Sequence, residues 1–502
     1  MPRALAGGVI GLLVLVSVTP AAAQIPPTPP RNQWFAENDT GHFTRGTRVR
    51  IDAACRNVPA SEQTACSLKQ FRKRPFVVIA FVDTGINPYH RDFRAPDFVH
   101  HPSRFIEGYP KSAPAINLDL KTADARGYAA ARRADAGKWA RTKPREIHWF
   151  PGTRVIGGIS MSSGGTSNPE FGEFPILDDQ GHGTGVASVA AGQFFGSNPE
   201  ALIVMVEGLG DASLEWATSQ KWIDIVSNSW GNIANLPLGE TEAPREATRR
   251  GQTVAFAAGN GATNTNSSTL FPPEGPIEDP CKCKTPDSNP SFTSPYGGPS
   301  WLLTVGAISP INGQAHWWHS IPVDVSSFGS KWRAAAAFGI SENVKKPENG
   351  EDGTRDFGGT SCATPITAGV LSSLILEARG LFSDTVAGQK ANQVVARADG
   401  GARLPKAGPL SDGELTRVEA ETIVQKTAYP TPADAEKITW DYAVRPTTPL
   451  YYLYQGYGVV DKTSKALALD VLFGREELPD RADVDAWMTA LDAMRKALWG
   501  QP

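Results

Sequence analysis

The residues best placed to do chemistry are a serine, a histidine and an aspartate, each in a short stretch of distinctive composition. Ser361 lies in Gly358-Gly359-Thr360-Ser361-Cys362-Ala363-Thr364-Pro365, a glycine turn that runs into the apolar, small-residue segment 366–376. A serine hydroxyl is a weak nucleophile until an adjacent base activates it. At the mouth of a helix it also has a backbone N–H free to receive negative charge. A base is available in Asp179-Gln180-Gly181-His182-Gly183-Thr184-Gly185, where His182 stands among glycines ahead of an Ala/Gly-rich helix. Asp83 closes the unbroken apolar run 76–82, which reads as a buried parallel strand with a carboxylate at its C-terminal end. Taken singly, each has a structural explanation: a capping serine, a core histidine, a structural carboxylate. Together they suit acyl transfer. Ser361 attacks a carbonyl, His182 takes its proton and hands it to the leaving amine, and Asp83 fixes the imidazole tautomer.

The sequence around all three residues carries a resemblance. Asp-Thr-Gly-Ile at 83–86, Gly-His-Gly-Thr at 181–184 and Gly-Thr-Ser-x-Ala-Thr-Pro at 359–365 resemble the catalytic motifs of the subtilisin-like serine proteases, in that family's chain order. The resemblance spans roughly 75–475. It implies an α/β fold of three layers, with a mainly parallel central sheet and helices on both faces. It also implies further site residues. Asn260, in Ala257-Ala258-Gly259-Asn260-Gly261, matches the asparagine that donates to the oxyanion together with the Ser361 N–H. In subtilisin itself, loss of that donor costs about 10²–10³ in turnover. Read without the family, Asn260 is an amide suited to a left-handed turn between glycines. Ser229-Trp230-Gly231 resembles the edge that pairs with substrate backbone as an added strand, and Gly259 falls beside it. Many relatives carry a smaller aliphatic residue at the position of Trp230, which either narrows a pocket or joins the core.

With Asp83, His182, Ser361 and Asn260 all present, the resemblance implies an active serine endopeptidase acting on proteins or peptides. Two other readings stand beside it. One is a processing peptidase of narrow specificity, its cleft covered by insertions and an N-terminal arm. The other is a secreted protein-binding scaffold with little activity.

The elements that must position these residues alternate between apolar strands and helices. Strands are expected at 201–206, 224–231, 253–259 and 301–307, and helices at 214–223, with Trp216 inward, and at 242–250, stopped by Gly251. Such alternation implies a parallel sheet. Two insertions interrupt it. Asp83 and His182 are 99 residues apart (182 − 83), and most of that length is the insertion 94–178, which either shapes the cleft or forms a surface subdomain. Within it, 155–159 is expected to rejoin the common core as a strand. The second insertion, 261–300, holds eight prolines and Cys281-Lys282-Cys283. Residues 24–74 read as an N-terminal extension or short pro-segment ahead of the catalytic domain at 75–475. Residues 476–502 read as an added amphipathic helix with Val484, Trp487, Leu491 and Met494 on one face.

Composition bounds the rest. The 502 residues carry 49 Lys+Arg against 52 Asp+Glu, a net charge of −3 that points to neither nucleic acid nor an anionic membrane surface. Residues 1–23 read as a secretory signal, with Arg3, an apolar core at 9–18 and Ala21-Ala22-Ala23 before Gln24. No later segment reads as long and apolar enough to span a bilayer. The expected product is secreted or periplasmic and monomeric. Export permits disulfides. Of five cysteines, Cys362 is expected to be free, and Cys55–Cys66 is the favoured bridge among the three pairings of the other four. Cys281, Cys283, His316 and His319 have ligand-like spacings for zinc, but the disulfide reading is preferred and no cofactor is expected. The 47 residues from His182 to Ser229 (229 − 182) lack the loop that carries a tight calcium site in some subtilisins, so calcium has no support in the sequence.

Overall fold

Strand β1, Val78–Asp83, is buried along its whole length between two parallel neighbours, β3 (Leu202–Glu207) and β4 (Ile225–Asn228). The computed structural model describes residues 61–62, 66, 75–161, 174–231, 242–259, 299–311, 314–317, 323–329, 332–335, 353–382, 405–430 and 455–499. Among them an eight-stranded sheet runs β2 (Val155–Ser160), β3, β1, β4, β5 (Thr253–Ala257), β6 (Leu303–Ile311), β7 (Gln314–Trp317), with β8 (Val325–Phe328) also paired to β6. Every pairing is parallel except β6 with β7. A separate antiparallel pair, β9 (Trp332–Ala335) and β10 (Thr354–Phe357), leads into Ser361.

The apolar run of β1 has side chains for two cores, because successive strand residues point to opposite faces. Val77, Ile79 and Phe81 join one hydrophobic cluster, and Phe76, Val78, Ala80 and Val82 join another. The insertion supplies α1 (Leu120–Arg126), α2 (Tyr128–Ala134) and α3 (Ala136–Trp139). Next come α4 (His182–Ala191), α5 (Asp211–Ser219) and α6 (Glu242–Arg249), then α7 (Thr360–Phe382). The chain continues with α8 (Arg417–Thr427), α9 (Lys462–Leu472) and α10 (Ala482–Trp499). Val186 and Ala190 of α4 and Leu371 and Leu374 of α7 pack in the first cluster. Leu214 and Ala217 of α5 and Ala247 of α6 pack in the second. The molecule is thus a three-layer α/β sandwich with a mainly parallel sheet, as the sequence led us to expect.

Several local expectations need correction. The segment 214–223 is not one helix: α5 starts at Asp211 and stops at Ser219, so Trp216 ends up half-buried while Trp222, in the following turn, is the buried ring. The strand expected at 224–231 is confined to Ile225–Asn228, and the one at 301–307 starts at Leu303 and runs on to Ile311. Helix α6 ends at Arg249, one residue short of the expected Arg250, and the chain turns at Gly251, whose φ of 95° a glycine adopts without strain. In α10, Val484, Met488 and Leu491 face inward, but Trp487 is 41% exposed; the side chain of Met494 lies outside the described residues. Helix α7 is long and apolar enough over Thr360–Gly380 to cross a membrane by composition, which the sequence reading overlooked. In the fold 89% of that window is buried, which is the pattern of a core helix.

The insertion 94–178 is not a surface decoration. Its Phe93 flank, Trp139 and Phe150 are fully buried in the first cluster, and Phe98, Phe105 and Trp149 lie in the second. Tyr89 hydroxyl donates to Asp135 Oδ2 at 2.9 Å and accepts from Trp139 Nε1 at 2.8 Å, pinning α3 to the end of β1. Apart from residues 61, 62 and 66, the segment 24–74 lies outside the described residues, as does 261–298. Cys66 is disulfide-bonded. Cys55, Cys281 and Cys283 are outside the described residues, so the Cys55–Cys66 pairing is not addressed by the structure.

Candidate active site

Asp83 is the last residue of β1, and its turn is closed by His182 at the first position of α4. The approach is very tight. A Cβ on Gly183 would come within 2.2 Å of the Gly85 carbonyl oxygen, so only glycine lets the helix start sit on the β1 turn. Gly181, with φ 93°, supplies the left-handed residue that turns the chain into α4. His182 Nδ1 then lies 2.8 Å from Asp83 Oδ1, which also accepts from the Thr84 N–H at 2.8 Å. A carboxylate can only accept, so Nδ1 carries the proton and Nε2 keeps its lone pair. Asp83 is fully buried and its Oδ2 has no hydrogen-bond partner among the described residues, whereas the imidazole is 26% exposed. Phe357, at the end of β10, meets the imidazole edge-on with ring centroids 5.4 Å apart.

Ser361 is in the first turn of α7, after Gly359 with φ 75°, and is 8% exposed. Its hydroxyl donates to the Ser229 carbonyl oxygen at 3.1 Å, not to the imidazole. Ser229 Oγ in turn donates to the Ser361 carbonyl oxygen, also at 3.1 Å. The reciprocity has a local cause. Pro365 stands four residues after Ser361 and has no N–H, so the Ser361 carbonyl loses its helical donor and the Ser229 hydroxyl replaces it. Of the sequence-derived residues, the structure therefore joins Asp83 to His182 and Ser361 to Ser229, with Trp230 and Gly231 following directly. Trp230 is half-buried and packs edge-on against Phe256 at 5.8 Å, so it contributes to the second cluster; Gly231 is exposed. Asn260 lies outside the described residues. Gly259, with φ 96°, donates its N–H to Thr360 Oγ1 at 3.3 Å, which sets Gly259 beside the serine turn.

Cys362 is free and fully buried, and burial pushes its thiol well above its usual range. Among the described residues no group of three or more His, Cys, Asp or Glu could hold a metal ion. Cys281, Cys283 and His319 lie outside them, and His316 falls on β7.

Sequence reasoning missed two buried acids. Asp178 Oδ1 accepts from Thr84 Oγ1 at 3.0 Å, Gln180 N at 3.1 Å and Gly181 N at 2.6 Å, and Oδ2 accepts from Thr184 N at 2.8 Å. Burial raises its carboxyl above the usual range, and the charge of Asp83 raises it further, against the pull of these donors. Glu207 ends β3 in register with Asp83 and accepts from the Ile176 N–H at 2.6 Å. Burial, helped by the charges of Asp178 and Asp179, pushes it up to about 7. The one signal available was position: Asp178 precedes the histidine motif, and Glu207 closes an apolar strand as Asp83 does.

A parallel α/β sheet with an Asp–His pair and a serine in the first turn of a helix at its carboxyl ends defines the class of this protein. The chain belongs to the subtilase family (peptidase S8), whose family model matches residues 76–391, and it is a subtilisin-like serine endopeptidase with protein or peptide substrates. No curated protein matches it. Among solved structures it is similar to the prenylagaramide maturation protease PagA, at 15% identity over 83% of this chain and 99% of that one, with a TM-score of 0.40. It is also similar to fervidolysin from Fervidobacterium pennivorans, a keratinolytic enzyme related to subtilisin, at 16% identity and a TM-score of 0.41. That match covers 91% of this chain and 50% of the fervidolysin chain.

Proposed function

We propose that this chain is an exported endopeptidase whose catalytic triad is Asp83, His182 and Ser361, with Asn260 completing the oxyanion site. The observation that carries the reading is the 2.8 Å contact of His182 Nδ1 with a buried Asp83 carboxylate, which leaves Nε2 as a base. For attack, the Ser361 hydroxyl must leave the Ser229 carbonyl and give its proton to that nitrogen. The new Oγ–C bond places negative charge on the substrate carbonyl oxygen, which the Ser361 N–H and the Asn260 amide receive. Collapse breaks the C–N bond, and the amine departs with the proton from His182. A water molecule, deprotonated by the same imidazole, then releases the acid and frees Ser361. The exposed Gly231 edge is suited to pair with substrate backbone. The signal-like segment 1–23 and the disulfide at Cys66 support a secreted or periplasmic location.

The test is labelling of the purified, signal-free protein with a fluorophosphonate, with the adduct located by mass spectrometry and Ser361→Ala as control. Labelling confined to Ser361 supports the reading. If a folded protein stays unlabelled after removal of residues 24–74, the triad assignment fails. A casein digest in parallel separates broad from narrow specificity.

A further inference from the structure

The segment that delivers His182 to Asp83 is held from within by Asp178 and from outside on two sides. Ile176, a β-branched residue, has φ 78°, a strained left-handed conformation that survives only where its surroundings over-determine it. From the sheet side, Glu207 accepts its N–H at 2.6 Å and Ile86 donates to its carbonyl at 2.8 Å. From the other side comes the insertion. Arg132 on α2 donates through both guanidinium arms to Asp179, with Nη2 to Oδ2 at 3.0 Å and Nη1 to Oδ1 as the second arm. The same guanidinium lies over the Phe174 ring, 5.5 Å from its centroid. Arg132 thus grips both ends of 174–179 at once, and its side chain is only 14% exposed. Its own helix is fixed: Ala131 is fully buried in the core, and Asp135, at the helix end, is bonded to Tyr89 and Lys138. One residue beyond Asp179, Gln180 Oε1 accepts the His182 N–H at 2.8 Å, so what Arg132 fixes is continuous with the imidazole's own backbone.

We infer that Arg132, carried by the insertion, is a positioning residue for the general base, clamping the 174–181 segment so that His182 meets Asp83 in register. The inference rests on His182 being the base. It gives the insertion a task in catalysis: the Trp139 and Tyr89 anchors exist to present one planar cation to the histidine loop. A guanidinium suits this because its fork matches a carboxylate while its face stacks on a ring.

The test is steady-state kinetics on the full signal-free chain, with active sites counted by fluorophosphonate titration and a fluorogenic peptide selected on the wild-type enzyme. Arg132→Ala is expected to lower kcat per titrated site about 10- to 100-fold, the scale of small misplacements near the chemistry. KM is expected to change less than about twofold, because substrate contacts are not touched. Arg132→Lys should restore only part of the loss. Asp179→Asn should match Arg132→Ala, and the double variant should be no worse than either single. A purely structural contact would lower the unfolding midpoint and leave kcat per site unchanged; that result, or additive losses in the double variant, overturns the inference. Should Arg132→Ala not fold, Asp179→Asn carries the same test with the same two outcomes. His182→Ala is measured alongside. Retained activity there removes the base assignment, whereas a dead His182→Ala beside a wild-type kcat for Arg132→Ala removes the clamp alone.

Discussion

The two ends of β1 treat buried carboxylates in opposite ways. At the N-terminal end, Asp224 accepts the Val78 N–H at 2.9 Å, and Arg379 of α7 holds both its oxygens, at 2.8 and 2.6 Å. Arg379 also donates to the Phe76 carbonyl at 2.7 Å, so the charge is cancelled where it sits. At the C-terminal end, Asp83, Asp178 and Glu207 are buried together, and among the described residues the donors to Asp178 and Glu207 are N–H and O–H groups rather than cations. Neutral dipoles moderate the charge without removing it. One end is finished structure. The other sets the buried Asp83 carboxylate beside an imidazole that, in the proposed mechanism, becomes positive during turnover, which is the electrostatic arrangement a base needs.

That contrast can be broken by substitution, and the largest effects belong to the C-terminal end. Ser361→Ala or His182→Ala is expected to reduce kcat about 10⁶-fold, the loss found when such a unit is disabled, as measured on a fluorogenic peptide. Asp83→Asn, which keeps the shape and removes the charge, should cost about 10⁴-fold with the fold intact by circular dichroism. Asn260→Ala should cost about 10²–10³-fold in kcat with little change in KM. At the other end the readout changes from rate to stability. Asp224→Ala leaves the buried Arg379 without its carboxylate and should destabilise by about 3–5 kcal/mol in urea unfolding, while kcat per titrated site stays near wild type. If Asp224→Ala instead abolished kcat in folded protein, the division of labour between the two ends would fail.

The smallest effect sharpens the comparison by pH. Glu207 is raised from 4.5 to about 7 in the fold, so between those values the folded state holds a proton that the unfolded state has lost. Its contribution to stability is therefore full below about pH 4.5 and is lost as pH climbs through about 7. Measured against Glu207→Gln, the wild type should lose on the order of 3 kcal/mol across that window. A flat difference would show that Glu207 is ionised throughout.

Short motifs carried most of what could be read in advance. Asp83, His182 and Ser361 each stand in a run whose glycines and apolar neighbours specify a strand end or a helix mouth, so local sequence sufficed to place them. Trp216, Trp222 and Trp487 were harder, since shifting a helix start by three residues rotates its buried face, and periodicity alone does not fix the start. Asp178, Glu207 and Arg132 were beyond local reading altogether. Their roles come from partners 94, 31 and 47 positions away, which only the folded sheet brings together.

Cys362 places a dormant reporter one residue along the chain from Ser361, the proposed nucleophile. Sealed from solvent and held as a thiol, it is invisible to an alkylating reagent in the native protein. Modification must wait for the start of α7 to lift off its neighbours, so the rate at which the peptide bearing Cys362 is tagged counts opening events at Ser361 itself. The enzyme thereby carries its own clock for how often the serine turn comes apart, separable from the unfolding of the rest of the chain.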